Sequence, residues 1–228
     1  MTNIEAMTQL TASDGHQLDA YEVDPDGATA VVVIVQEIFG VNSHIRSVVD
    51  RYASFGYRAI APAMFDRVER GVELGYDAEG VEQGRALRQK LSWDDSVLDV
   101  AAAVEHVSGT GPVAVIGYCY GGSMAWLAAA SLPIAAAVGY YGGQIVDFID
   151  RTPRVPTMLH FGALDHAIPL GGVRAVAERH PEVIVHIYDD AGHGFSCDVR
   201  GSYHPEAAAL AEERTREFLA RHLTTELS

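Results

Sequence analysis

PVAVIGYCYGGSMAWLAAAS, residues 112–131, changes character in its middle. Residues 112–116 are a short apolar run rich in β-branched side chains, which reads as a strand buried on both faces. Residues 121–131 are small and alanine-rich, which reads as a helix. Between them stands Cys119, with Gly117 two residues before it and Gly121 two residues after. A cysteine that only fills space needs no such turn. A nucleophile does. In a G-x-nucleophile-x-G elbow the chain turns sharply from strand to helix and lifts the side chain above the sheet, and small flanking residues keep neighbouring backbone clear. The helix N-terminus then faces the sulfur and favours a thiolate or a developing oxyanion. The N–H of Tyr120, one residue past the nucleophile, is the expected oxyanion donor.

The same alternation runs outward in both directions. Before the elbow, 16–23 alternates loosely and reads as a strand near a sheet edge, while 30–35 is apolar throughout. Ser43 opens a helix with Ile45, Val48, Val49, Tyr52 and Phe55 on one stripe, and Gly56 stops it. A short strand follows at 57–61, then an irregular stretch over 62–80, whose length inside a compact chain suggests function. Helices are expected over 80–91 and from Ser92 to Ser108, the second opening on a capping-box-like SWDD. After the elbow come strands 134–139 and 156–161, helix 170–179, strand 183–188 and a helix from Pro205 to His222. Strands alternating with helices predict an α/β fold: a mostly parallel central sheet with helices on both faces. No repeat or linker divides the chain, so 1–228 is expected to be a single domain.

Sixteen Lys and Arg against 31 Asp and Glu give a formal charge of −15. Nucleic acid is therefore a poor partner, because phosphate binding needs clustered cations. Two cysteines cannot build a disulfide scaffold, and no CxxC metal or redox motif is present. The first residues lack a basic and apolar leader pattern, and no apolar run is long enough to span a membrane. These features predict a soluble cytoplasmic protein, monomeric or a small homo-oligomer.

A cysteine nucleophile calls for an acid and a base later in the chain, in that order. GALDHAIP places Asp165 in the loop after strand 156–161, and DDAGHGF places His193 in the loop after strand 183–188. Both loops leave the carboxyl ends of strands, where an open α/β sheet collects its site. His193 would move the proton of Cys119, and Asp165 would fix the imidazole tautomer. His160 and His186 fall inside strands and read as packed. Asp189 and Asp190 are rival acids, but their closeness to His193 favours loop capping. QEIFGVN, residues 36–42, ends the first buried strand at the same rim. A carboxylate there needs a partner, so Glu37 is a site candidate, and the Ile38 N–H is a candidate second oxyanion donor. Phe39 and Tyr76 are candidates for the pocket wall, whereas Trp126 reads as core.

Together QEIFGVN, APAMFDR (61–67), GYCYGG (117–122), AVGYYGG (137–143), GALDH (162–166), AGHGF (191–195) and the last helix resemble the dienelactone hydrolase family over nearly the whole chain. The resemblance implies an α/β-hydrolase fold, a Cys119–His193–Asp165 triad, and Glu37 taking part in activating a thiol that rests largely neutral. It implies small ester or lactone substrates carrying a carboxylate, and neither metal nor organic cofactor. Two departures stand out. The family places a substrate-binding arginine where this chain has Cys197, and a second where it has Gln83, with Arg85 and Arg88 close by. A guanidinium binds a carboxylate through two donors and a charge, which Cys and Gln lack. Arg200, in the same loop as Cys197, is the candidate replacement. Cys197 reads as a free loop thiol, or alternatively as a redox partner of Cys119. A broad-range carboxylesterase or thioesterase is the alternative enzyme, and a non-catalytic ligand-binding or redox-sensing protein the alternative outside enzymes.

Overall fold

A computed structural model describes residues 3–224. In chain order the elements are β1 (Asn3–Thr11), β2 (Gln17–Pro25), β3 (Val31–Val35), α1 (Ser43–Ser54), β4 (Arg58–Pro62), α2 (Ala78–Gln89), α3 (Trp93–Val107), β5 (Val113–Tyr118), α4 (Tyr120–Ser131), β6 (Ala136–Tyr140), β7 (Thr157–Gly162), α5 (Leu170–Arg179), β8 (Ile184–Tyr188) and α6 (Pro205–His222). The eight strands form one sheet in the order β1-β2-β4-β3-β5-β6-β7-β8. β1, β2 and β4 pair antiparallel, and every pair from β4 to β8 is parallel.

The central strands are continuous apolar runs because both of their faces are covered. Every residue of β3, β5, β6 and β7 is buried. Adjacent side chains of β6 show the two coverings. A Cβ on Gly139 would lie 2.9 Å from the Gly122 carbonyl of α4. Tyr140, on the opposite face, donates its hydroxyl to the Ala211 carbonyl of α6. Helices therefore pack on both sides, as the alternating sequence predicts. α1 starts where the Asn42 side chain accepts from Ile45 N, buries Ile45, Val48, Val49, Tyr52 and Ala53, and ends before Gly56 at φ +92°. Trp126 is fully buried and donates its indole N–H to Phe148 O, a core position.

One strand departs from the expectation. Residues 16–23 form β2, next to the sheet edge as expected, but the edge itself is β1, which the sequence reading did not assign and which pairs with β2 from Asn3↔Pro25 to Thr11↔Gln17. The irregular stretch after β4 contains a short 3-10 turn, Met64–Arg67, and bridges back to the site through Gly40↔Glu73. Among the described residues no helix is long and apolar enough to cross a membrane.

The strand order reverses beside β3. The chain leaves β3 through α1 to β4 on one side, then crosses to β5 on the other. The crevice beyond the carboxyl ends of β3 and β5 is the topological switch point of the sheet. Glu37 leaves one of these strands and Cys119 leaves the other.

Candidate active site

At the elbow Cys119 has φ 55° and ψ −111°, a left-handed conformation that costs a non-glycine residue about 1–3 kcal/mol. Surrounding bonds hold it there. Cys119 N donates to Tyr140 O at 2.9 Å, Gly121 N to Gln36 O at 3.0 Å, and Gly122 N to Cys119 O at 2.9 Å. The glycine spacing is steric. A Cβ on Gly117 would lie 1.7 Å from Gly121 O, and one on Gly121 would lie 2.1 Å from Val35 O. α4 begins at Tyr120, so Cys119 is its N-cap, and no side-chain cap bond competes for the sulfur. As the first residue of α4, Tyr120 has an N–H with no acceptor inside the helix.

His193 Nε2 lies 3.2 Å from Cys119 Sγ, and His193 Nδ1 lies 2.7 Å from Asp165 Oδ2. Asp165 is buried, and its other oxygen accepts from Ala167 N at 2.8 Å and Ile168 N at 3.2 Å. The two loops brace each other, with Ala163 N on Tyr188 O and Leu164 N on Ala191 O, both at 2.9 Å. Burial works against charge on His193. The negative charge of a Cys119 thiolate and the bond to Asp165 outweigh it and carry the imidazole up to about 10.

Glu37 is fully buried, and both of its carboxylate oxygens are engaged away from the sulfur. Arg200 Nη1 donates to its Oε1 at 3.1 Å, and the Tyr76 hydroxyl donates to its Oε2 at 3.0 Å. The Arg200 guanidinium lies 5.7 Å from the rings of both Phe39 and Tyr76. Gly194, at φ +72°, leaves room for it, because a Cβ there would lie 2.5 Å from Arg200 Nη1. The charge of Glu37 holds the Arg200 guanidinium protonated despite burial.

Above the sulfur opens a cavity of about 440 Å³. Ile38, Phe39, Tyr120, Arg85 and Arg200 line it, with Cys119 and His193 at its floor. Tyr76, Gln83 and Cys197 do not. Tyr76 stands behind Phe39, their rings 4.4 Å apart, and acts on Glu37. Gln83 is exposed and donates to Glu79, one turn back on α2. Cys197 is buried beside Glu37, and burial followed by that carboxylate's charge pushes its thiol up to about 12. Such a thiol is a poor partner for exchange chemistry. Both cysteines are free.

Sequence reasoning named Arg88 only as lying near Gln83 and passed over Trp93 and Tyr141. Arg88 and Trp93 line the cavity together, the guanidinium 3.8 Å above the indole. Tyr141, at φ 39°, sets its ring 5.2 Å from His193 and shares a 2.8 Å hydrogen bond with Ser196. The paired tyrosines at the end of β6 were the only sequence signal for the last of these.

Residues 18–223 match the dienelactone hydrolase family. A carboxymethylenebutenolidase of Pseudomonas putida is 37% identical over 222 residues, spanning 92% of this chain and 94% of that protein. A second, from Cupriavidus pinatubonensis, is 30% identical over 93% of this chain and 95% of its own length. Among solved structures, a Klebsiella pneumoniae protein assigned as a dienelactone hydrolase superposes with a TM-score of 0.86 at 28% identity, covering 97% of this chain and all of that one. The dienelactone hydrolase of Anabaena variabilis, at 17% identity and a TM-score of 0.77 over 98% of this chain and all of its own, shares the fold. The chain belongs to the dienelactone hydrolase family and is a hydrolase of that family.

Proposed function

We propose that the chain hydrolyses a small ester or lactone bearing a carboxylate, through a Cys119–His193–Asp165 triad and a thioester acyl-enzyme. The observation that carries this reading is the unbroken line from Cys119 Sγ to His193 Nε2 at 3.2 Å and from His193 Nδ1 to Asp165 Oδ2 at 2.7 Å, at the floor of the cavity. Cys119 attacks the acyl carbon, and the Ile38 and Tyr120 N–H groups hold the oxyanion. His193 delivers the proton to the departing oxygen, which in a lactone stays tethered to the acyl chain. Water then attacks the thioester with His193 as base, the oxyanion collapses, and the thiol is regained.

Arg200 supplies the carboxylate recognition that the Arg-to-Cys departure at position 197 removes. Its guanidinium lines the cavity while holding Glu37. A substrate carboxylate competes with Glu37 for those donors, so binding draws Arg200 toward the ligand and releases Glu37 toward the thiol. The second reading, an esterase for uncharged substrates, draws on the same pair, since Glu37 already neutralises Arg200 in the unliganded site.

The deciding experiment is steady-state hydrolysis of dienelactone and of p-nitrophenyl acetate, wild type beside Cys119→Ala. Turnover of both, lost in the variant, supports the full reading. Turnover of the simple ester alone moves the substrate to uncharged esters. A variant as active as wild type removes the triad.

A further inference from the structure

Behind the cavity wall three side chains with metal-ligating atoms converge. Glu37, His44 and Cys197 are all buried, and a carboxylate oxygen, a ring nitrogen and the sulfur lie within 4.8 Å of one another. They come from three separate places in the chain: the end of β3, the first turn of α1 and the loop before α6. His44 is 3% exposed. Its Nδ1 stands 3.1 Å from Asp198 Oδ1, while its Nε2 is buried and finds no hydrogen-bond partner among the described residues. Metal-binding imidazoles are built this way. One nitrogen gives its N–H to a carboxylate, and the lone pair of the other is left for a cation.

We propose that Glu37, His44 and Cys197 form a site for a borderline-soft divalent cation, Zn²⁺ above all. Imidazole, thiolate and carboxylate are its preferred donors, and a fourth position is left to water. On binding, the Cys197 S–H bond breaks, a sulfur–zinc bond forms and the proton leaves to solvent, with no change of oxidation state. A tetrahedral zinc ion sets its ligand atoms about 3.4 Å apart, so the three donors draw together when it enters. Asp198, whose side chain is 49% exposed, marks the side open to solvent. The site is coupled to the cavity through Glu37, which also serves Arg200 at 3.1 Å. A dication at Glu37 opposes Arg200, so the ion and the guanidinium compete for one carboxylate.

The test uses the full chain as Cys119→Ser, which removes the other thiol–imidazole pair. Co²⁺ is titrated while the thiolate-to-cobalt charge-transfer absorption is followed, and Zn²⁺ binding is measured by calorimetry. One ion per chain is expected, with Zn²⁺ displacing Co²⁺. Adding Cys197→Ser is expected to abolish the band, His44→Gln to weaken binding roughly tenfold or more, and Arg200→Gln to tighten it several-fold. Absence of binding, a band that survives Cys197→Ser, or Arg200→Gln without tightening overturns the site. Circular dichroism checks each fold, and should Cys197→Ser fail to fold, His44→Gln decides alone. No readout requires turnover, so the outcome is independent of the ester chemistry.

Discussion

Cys119 Sγ and His193 Nε2 stand within 3.2 Å of each other. Because the folded chain holds the His193 proton up to about 10, its stabilising contribution is full below about pH 6.5, the ordinary histidine value. It is lost as pH rises through the folded value. NMR titration of the His193 ring is expected to show protonation well past neutrality. In Cys119→Ser the thiolate charge is gone and burial prevails, so the midpoint moves down by roughly a unit or more. An unmoved midpoint removes the ion pair. Arg200 gives the second prediction. Arg200→Gln keeps a donor for Glu37 but loses the charge, so kcat/KM for a carboxylate-bearing lactone falls roughly tenfold to a hundredfold, in kcat as well as KM. Hydrolysis of p-nitrophenyl acetate serves as the control and stays within about twofold. Cys119, Asp165 and His193 were readable from sequence because glycine turns at strand ends announce them. Arg200 was readable as a candidate for the cavity, but its contact with Glu37 was not. The path of the loop, not the position in sequence, sends Arg200 to the cavity and Cys197 behind it.

At the scale of elements, the elbow works because α4 and the end of β3 meet backbone to backbone. Gly121→Ala would push a Cβ to 2.1 Å from Val35 O, and neither main chain is free to move. The variant is expected to lose more than about 3 kcal/mol, with turnover lost in whatever fraction folds. Chemical denaturation and a p-nitrophenyl acetate assay read both effects. Gly171, near the start of α5, is the contrasting case, because nothing lies within 4 Å of its would-be Cβ. Gly171→Ala is expected to stabilise by about 0.5–1 kcal/mol through helix propensity alone. The elements were legible where burial made them so. β3 and β5 announce themselves as unbroken apolar runs, and α1 by its stripe. β1 was not read, although NIEAMTQLT carries Ile4, Ala6 and Leu10 on alternate positions, because Met7, an apolar residue that stands 57% exposed, interrupts the pattern. The 3-10 turn at Met64–Arg67 follows from backbone geometry inside the irregular stretch, which its composition does not encode.

Across the whole molecule, Arg67 ties distant segments of the chain together. Its Nε and Nη2 donate to the two oxygens of Asp99 on α3, at 2.7 and 2.8 Å, and its Nη1 reaches Asp14 in the β1–β2 turn at 2.8 Å. One guanidinium thus joins the antiparallel edge of the sheet, the irregular stretch that carries Tyr76 to Glu37, and a helix packed on the central strands. Asp99 is fully buried, so its carboxylate has exchanged water for this one partner. Arg67→Met fills similar space without charge and strands the carboxylate, which is expected to cost about 3–5 kcal/mol. Adding Asp99→Leu removes the stranded charge and is expected to return much of the loss, since an apolar pair of similar volume is often as stable as the ion pair it replaces. Urea unfolding of wild type, both single variants and the double variant closes the cycle. Recovery in the double variant identifies the unpaired carboxylate as the cause. A double variant no better than Arg67→Met assigns the loss instead to the Asp14 link and to the packing of the arginine stem, and then the three regions are held by shape rather than by charge.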